Sequence, residues 1–412
     1  MKKILFPGNA EFWYETLRSF DHIAYGGADF GEVVAISQHI TEGDYDSWHD
    51  AYLGAADRIA AEADQALRAG HRVSARDGLL RAHNYYRSAD FFLHGHPDDP
   101  RHYHAYDRSV ECFQAAAPLF TAPAQPVAIP YENTTLPGYY YAAGDPGIAR
   151  PTVITHTGFD GTAEEMHFQC AAAGPERGYN VLSFDGPGQG AAIHHQHMLF
   201  RPDWENVVGP VVDYALTLPG VDGEKLALWG LSMGGLMAPR AAAFEQRLAA
   251  VLAVDGIYDM GETVRAEAGD IPDLEQRLRA RDDPELDAGL ARSVAASPVM
   301  KWASEQAQYV FGVPTPRQAF AALLDFNLRD GVAERIICPA LICDAASDMF
   351  APGQARVLFD HLTCPKAFLE FTVEEGADEH CQVGAQRLAL ARIYNWLDDA
   401  LGNPAQLTHA GK

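Results

Sequence analysis

Basic residues are scarce in this chain. Lys and Arg number 31 against 56 Asp and Glu, which leaves a formal charge of −25. Binding nucleic acid or an anionic membrane requires a positive face, so neither is an expected partner. Long apolar runs are also missing: no stretch approaches the roughly 18 residues of a membrane span. The opening MKKILFPGNAEF has only Ile4, Leu5 and Phe6 before Pro7 and Gly8, too short for a secretory leader, and a cytoplasmic location is expected. Cysteine is sparse as well. Cys112, Cys170, Cys338, Cys343, Cys364 and Cys381 form no CxxC pair, so buried free thiols are expected rather than disulfides or a zinc site. What is present is the composition of a folded protein, 48% hydrophobic and 21% charged, over 412 residues. That length accommodates one large domain and a second unit.

Residues 1–125 read as helical. Helices are expected over Asp44 to Ala69, Ser74 to Leu93 and Pro100 to Ala117, with no period-2 pattern among them. This all-α unit precedes a different domain, 126–412. A hairpin is expected over Val127 to Tyr141, turning near Asn133 and Leu136-Pro137-Gly138. Short apolar strands then alternate with helices. The strands are Pro151 to Thr155, Asn180 to Phe184, Lys225 to Trp229, Leu248 to Val254, Ala340 to Cys343 and Phe368 to Phe371. The helices are Ala163 to Arg177, Trp204 to Leu218, Gly234 to Phe244, Pro352 to Leu362 and Arg387 to Leu401. Such alternation implies a mostly parallel sheet wrapped on both faces. A charged helical insertion, about 258–330, interrupts it before the penultimate strand. The last ten residues are polar and are expected to fray.

Gly230-Leu231-Ser232-Met233-Gly234 fits G-x-S-x-G. The pattern gains meaning from its context, a strand running in and a helix running out. A sharp strand-to-helix turn holds a serine hydroxyl clear of the sheet, and small neighbours prevent clashes. Ser232 is thus a candidate nucleophile, and its poor intrinsic reactivity calls for a base. His380 lies after the last strand, where that base belongs. For the orienting acid, Asp348 follows the preceding strand at a reach that suits His380; Asp344 lies nearer the strand end. Asp255 follows the strand after the Ser232 helix. It is a candidate second acid that moves a substrate proton, an alternative triad acid, or a turn residue in Asp255-Gly256. The oxyanion donors expected are the amides of Met233 and of Phe159, the latter in His156-Thr-Gly-Phe-Asp-Gly161.

Taken together, His156-Thr-Gly-Phe-Asp-Gly-Thr-Ala-Glu-Glu165, Phe184-Asp-Gly-Pro-Gly-Gln-Gly190, Trp229-Gly-Leu-Ser-Met-Gly-Gly235 and Gly376-Ala-Asp-Glu-His-Cys381 resemble one group of α/β-hydrolases. That group contains 2,6-dihydroxypseudooxynicotine hydrolase and the fungal polyketide-shortening (yellowish-green pigment) hydrolases. The helical stretch Leu80-Arg-Ala-His-Asn-Tyr-Tyr-Arg87 is similar to that group's N-terminal unit. The resemblance implies an α/β-hydrolase core, an N-terminal helical cap and a homodimer. It implies action on ketones, including carbon–carbon bond hydrolysis, without a cofactor. It also maps an extra active-site acid of the nicotine-degrading member onto Asp255, with Asp here in place of Glu.

Tyr85, Tyr86 and Asp160 are candidate substrate contacts, though tyrosines at helical spacing more often serve packing. Asp185-Gly-Pro-Gly-Gln-Gly190 lacks the Lys-Ser/Thr of a phosphate loop and reads as a structural turn. His94, His96, His102 and His104, with His194, His195 and His197, read as solvated loop or pocket-rim residues; no metal is expected. The chemistry expected is hydrolysis of a small carbonyl metabolite through an acyl-enzyme, breaking a C–C or an ester bond. Acyl transfer from the same intermediate and a non-catalytic ligand-binding homologue are the alternatives.

Overall fold

The computed structural model describes residues 1–402. Five helices come first: α1 (Ala10–Asp21), α2 (Phe30–Ser37), α3 (Tyr45–Arg68), α4 (Arg72–Asp90) and α5 (Pro100–Ala116). Polar residues set their starts. Asn9 accepts from the Phe12 amide at 3.1 Å, and Asp44 accepts from Asp46 and Ser47 amides at 3.0 and 3.4 Å. Pro100 opens α5, where its missing N–H costs nothing. α1 was not resolved as a separate helix by the sequence pattern. It is amphipathic in sequence, yet its polar side, Glu11, Glu15 and Arg18, is buried as well.

The sheet has eight strands: β1 (Ala124–Tyr131), β2 (Thr134–Tyr141), β3 (Arg150–His156), β4 (Asn180–Phe184), β5 (Val221–Leu231), β6 (Ala250–Val254), β7 (Ala340–Ala345) and β8 (Lys366–Phe371). Their order is β1-β2-β4-β3-β5-β6-β7-β8, antiparallel through β1, β2 and β4 and parallel elsewhere. This is the α/β-hydrolase architecture expected from the alternating pattern. β6 shows why its strands read as unbroken apolar runs. Ala250, Leu252 and Val254 join the core on one side of the sheet, while Val251 and Ala253 join the core on the other. Removing one such side chain, as in Leu252→Ala, would cost about 2–5 kcal/mol.

Two local expectations are corrected. Tyr131 pairs with Thr134, so only Glu132 and Asn133 remain for the hairpin turn, and Leu136-Pro137-Gly138 lies inside β2. The helix expected over Ala163 to Arg177 is instead a π-helical turn, His167–Ala171, and a short helix, Ala173–Glu176. Pro175 has no N–H to donate back to Ala171, and the turn before it widens. The insertion consists of five helices, Met260–Ala268, Leu274–Arg279, Pro284–Ala296, Pro298–Phe311 and Pro316–Leu323. The expected frayed tail, residues 403–412, lies outside the described residues. No helix among the described residues is long and apolar enough to cross a membrane.

Candidate active site

Three chain segments meet above the C-terminal ends of the parallel strands. β5 delivers Leu231 into a turn at Ser232, whose φ of 60° is left-handed, and the helix Gly234–Ala242 leaves directly. The turn is tight: a Cβ on Gly230 would lie 1.9 Å from the Gly234 carbonyl oxygen. Ser232 N–H donates to the Val254 carbonyl at 2.9 Å, which ties the turn to β6. Within this turn the left-handed backbone falls on Ser232, whose Oγ faces a cavity.

His380 is 4% exposed, and its Nε2 lies 2.8 Å from Ser232 Oγ. Its Nδ1 faces two carboxylates, Asp348 Oδ1 at 2.9 Å and Asp255 Oδ2 at 3.1 Å, without a well-aligned hydrogen bond to either. Asp348 Oδ1 accepts from the Phe350 amide at 2.8 Å. Asp255 accepts from Gln382 Nε2 at 2.6 Å and from the Cys381 amide. Burial pushes both carboxyls up. In Asp348 the charge of His380, with the Phe350 and Ala351 amides, outweighs burial and holds the carboxyl below the usual range. In Asp255 burial wins, aided by repulsion from Asp348, and the carboxyl is raised. Burial alone would depress His380; the facing carboxylates instead raise it well above an ordinary histidine.

Asp255 therefore stands behind His380 and does not line the cavity. This corrects the expectation that it moves a proton on the substrate: it reaches Nδ1 of the imidazole and no substrate atom. Asp344 makes no ion pair with His380 among the described residues. Cys381 does line the cavity, but burial holds its thiol up at about 11, in the unreactive protonated form.

The loop after β3 approaches closely. A Cβ on Gly158 would sit 2.6 Å from Met233 N and 2.9 Å from Ser232 Cβ. Among the described residues the amides of Met233 and Phe159 have no protein acceptor. Gln189 braces the loop, donating from Nε2 to the Thr157 and Gly158 carbonyls at 2.7 and 2.9 Å. Asp185 accepts from the Ala163 and Ala191 amides at 2.7 and 3.0 Å, so Asp185 to Gly190 is a structural turn.

The cavity over Ser232 measures about 640 Å³. One end is polar and is built by Tyr14, Glu15 and Arg18 of α1 with Asp160. The other runs into the insertion helices and is lined by Met260, Val264, Leu274, Leu278, Leu290 and Phe320. Arg18 is the principal residue not found from sequence. It is 5% exposed and holds Asp160 at 2.8 Å, Glu165 at 2.6 Å and Glu15 at 3.1 Å. The Asn9 cap and the Glu15–Arg18 spacing were its only local signals. Tyr85 and Tyr86 do not line the cavity, which corrects their candidacy as substrate contacts. The Tyr85 hydroxyl donates to Glu32 at 2.9 Å and that of Tyr86 to Asp57 at 2.6 Å, packing α4 against its neighbours.

The alpha/beta hydrolase family model matches residues 152–392, more than half the chain and all of this constellation. The chain belongs to the alpha/beta hydrolase family. Hydrolase LUC6 of a Fusarium species is 33% identical, over 97% of this chain and 98% of its own length. The 20-hydroxy-prefusarin hydrolase FUS2 of Gibberella moniliformis is 33% identical, over 94% and 96%. Among solved structures, 2,6-dihydroxy-pseudo-oxynicotine hydrolase shares the fold with a TM-score of 0.70 at 24% identity, covering 93% of this chain and 95% of that one. This hydrolase thus matches relatives along nearly their whole length, N-terminal helices included.

Proposed function

We propose that this hydrolase cleaves a small, largely apolar carbonyl metabolite through an acyl-enzyme on Ser232. The observation that carries the reading is the 2.8 Å contact of Ser232 Oγ with His380 Nε2 at the wall of a deep cavity. His380 takes the Ser232 proton as the hydroxyl attacks the carbonyl carbon, and the Met233 and Phe159 amides receive the oxyanion. Asp348, ionised, orients His380 and stabilises its cationic form, with Asp255 beside it. Collapse expels the leaving group, which takes the proton from His380. Water, deprotonated by the same imidazole, then releases the acid. The N-terminal helices form a cap over the site, since α1 supplies the polar end of the cavity.

The leaving group is a carbanion or an alkoxide. A carbanion leaves only when a neighbouring carbonyl or phenol delocalises it, so a β-diketone or acyl-phenol is the expected C–C substrate. The relative named 20-hydroxy-prefusarin hydrolase supports a small-metabolite substrate. Fluorophosphonate labelling tests the nucleophile: one adduct per chain on Ser232, abolished in Ser232→Ala, supports the reading. A folded protein that takes no label at Ser232 overturns it. Product analysis with paired ketone and ester substrates, with and without added amine, separates C–C hydrolysis, ester hydrolysis and acyl transfer.

A further inference from the structure

Three of the histidines expected to be solvated are buried together. His94, His102 and His194 are 6%, 0% and 4% exposed, and all turn toward Asp90, itself 4% exposed. Asp90 ends α4, His94 follows it by one helical turn, His102 lies on α5, and His194 ends a short helix after β4. One ligand atom from each of the four lies within 4.8 Å of the others. His96, His104, His195 and His197 remain at the surface.

The hydrogen bonds at the far side of each ring decide what faces inward. His194 Nδ1 lies 2.8 Å from the Gly190 carbonyl oxygen, which only accepts, so Nδ1 carries the hydrogen. Gln306 donates from Nε2 to the Phe159 carbonyl at 2.6 Å, which turns its Oε1 to His94 Nδ1 at 2.6 Å. Nδ1 of His94 therefore carries its hydrogen too. In the neutral rings both Nε2 atoms then present lone pairs to the same carboxylate oxygen. His94 Nε2 lies 3.1 Å and His194 Nε2 3.5 Å from Asp90 Oδ2. The His194 atom has no hydrogen-bond partner among the described residues. Two lone pairs against a carboxylate repel unless a cation, a proton on one ring or a metal ion, lies between them.

Two edges of the donor set match a metal site, and all its ligand atoms lie within 4.8 Å of one another. Donors at about 2.0–2.1 Å from a tetrahedral Zn²⁺ are about 3.3 Å apart, and the two distances above bracket that edge. The surroundings supply the outer shell such sites use, an acceptor behind each ligating imidazole and a donor to the ligating carboxylate. Gly190 and Gln306 fill the first role. His102 Nδ1, 2.5 Å from Asp90 Oδ1, fills the second, and its Nε2 meets the Tyr309 hydroxyl at 3.2 Å. A cavity of about 20 Å³ bounded by Asp90, His94, His194 and Tyr309 adjoins the cluster. It is large enough for one water as a fourth ligand.

We infer that His94, His194 and Asp90 bind a divalent transition metal of the Zn²⁺ class, with His102 holding the carboxylate. The ion joins α4 to the segment after β4. Through Gln306 it is two hydrogen bonds from the Phe159 carbonyl, so it stiffens the loop beside Ser232 and touches no substrate. The site is independent of the role given to Ser232.

The test uses tag-free, chelator-treated full-length protein titrated with Co²⁺ and then Zn²⁺. One Co²⁺ per chain should appear with the visible absorption of a four-coordinate N/O site, displaced by one equivalent of Zn²⁺, and Zn²⁺ should raise Tm. His94→Gln and His194→Gln should each weaken Co²⁺ binding by at least about 100-fold, while His195→Gln at the surface leaves it unchanged. The Tm shift of the unmutated protein stands even if a variant fails to fold. Absence of both the Co²⁺ spectrum and a Zn²⁺-dependent Tm shift overturns the assignment and leaves a protonated ion-pair cluster. Binding that survives both ligand substitutions overturns it equally.

Discussion

Asp255 and Asp348 approach the same nitrogen of His380, at 3.1 and 2.9 Å, from the ends of two different strands. They are not equivalent. Asp348 is held ionised by His380 and two backbone amides, while burial raises Asp255. Only neutral His380 can accept the Ser232 proton, and the facing carboxylates raise its pKa well above 6.5. The acid limb of kcat/KM should therefore lie above pH 6.5 and activity should increase into the alkaline range. Removing an anion lowers the His380 pKa. Asp348→Asn should move the limb to lower pH and cut kcat by about 10³–10⁴-fold, the scale of losing a triad acid. Asp255→Asn should move it less. Equal shifts in the two pH profiles would show that the carboxylates share the charge.

Ser232 and His380 were legible in the sequence because their placement is local. An elbow is a strand, a turn and a helix in unbroken succession, and chain order points to one histidine after the last strand. The sharing of His380 by Asp255 and Asp348 was not legible. It depends on Asp255, in the left-handed region at φ 51°, turning toward the Cys381 amide 126 residues away. The sheet was read correctly from its apolar runs because both faces are covered. α1 has a helical period of its own but was not separated from its neighbours, and nothing local marks the polar face that carries Arg18 as buried. His94, His102 and His194 sit on three separate segments, and only packing around Asp90 brings them together.

Gly158 separates the Phe159 loop from the Ser232 turn by less than a methyl group allows. In Gly158→Ala the new Cβ, 2.6 Å from Met233 N, must push the two candidate donor amides apart. The loss of one oxyanion donor costs about 10²–10³ in kcat. That drop is expected with KM little changed, and fluorophosphonate labelling of Ser232 should slow in parallel. A variant with unchanged kcat would remove the Phe159 amide from the site.

Asp21 gives a stability effect with a defined sign. Its Oδ1 accepts from the Gly384 and Gln386 amides at 2.8 and 3.1 Å, yet Oδ2 is buried without a partner among the described residues. Burial raises its carboxyl to about 7. The folded state thus binds a proton that the unfolded chain, at about 3.9, has released. Stability should fall as pH rises from about 4 to about 7 and then level off, by on the order of 4 kcal/mol for this group alone. Asp21→Asn keeps an acceptor for the two amides and cannot ionise. Its Tm should exceed that of the parent at pH 8 and equal it near pH 4.

Arg18 has the opposite dependence. Its guanidinium pairs with Glu15, Asp160 and Glu165 in a largely buried wall between α1 and the loop after β3. Burial would raise Glu165, but Arg18 and Arg87 outweigh it and hold that carboxyl well below its ordinary range. The stabilisation is present above about pH 4.3, the unfolded value, and is lost as pH falls through the depressed one. Arg18→Met fills much of the space but leaves carboxylates facing each other, at a cost of about 3–5 kcal/mol near neutral pH. Without the cation the Glu165 carboxyl titrates upward and takes up a proton in the folded state, so acid relieves the variant before the parent begins to lose its own stabilisation. The Tm difference between the two should be large at pH 8 and narrow steadily toward pH 4. A gap that stayed constant across that range would mean that Arg18 acts through packing of its stem and not through its charge.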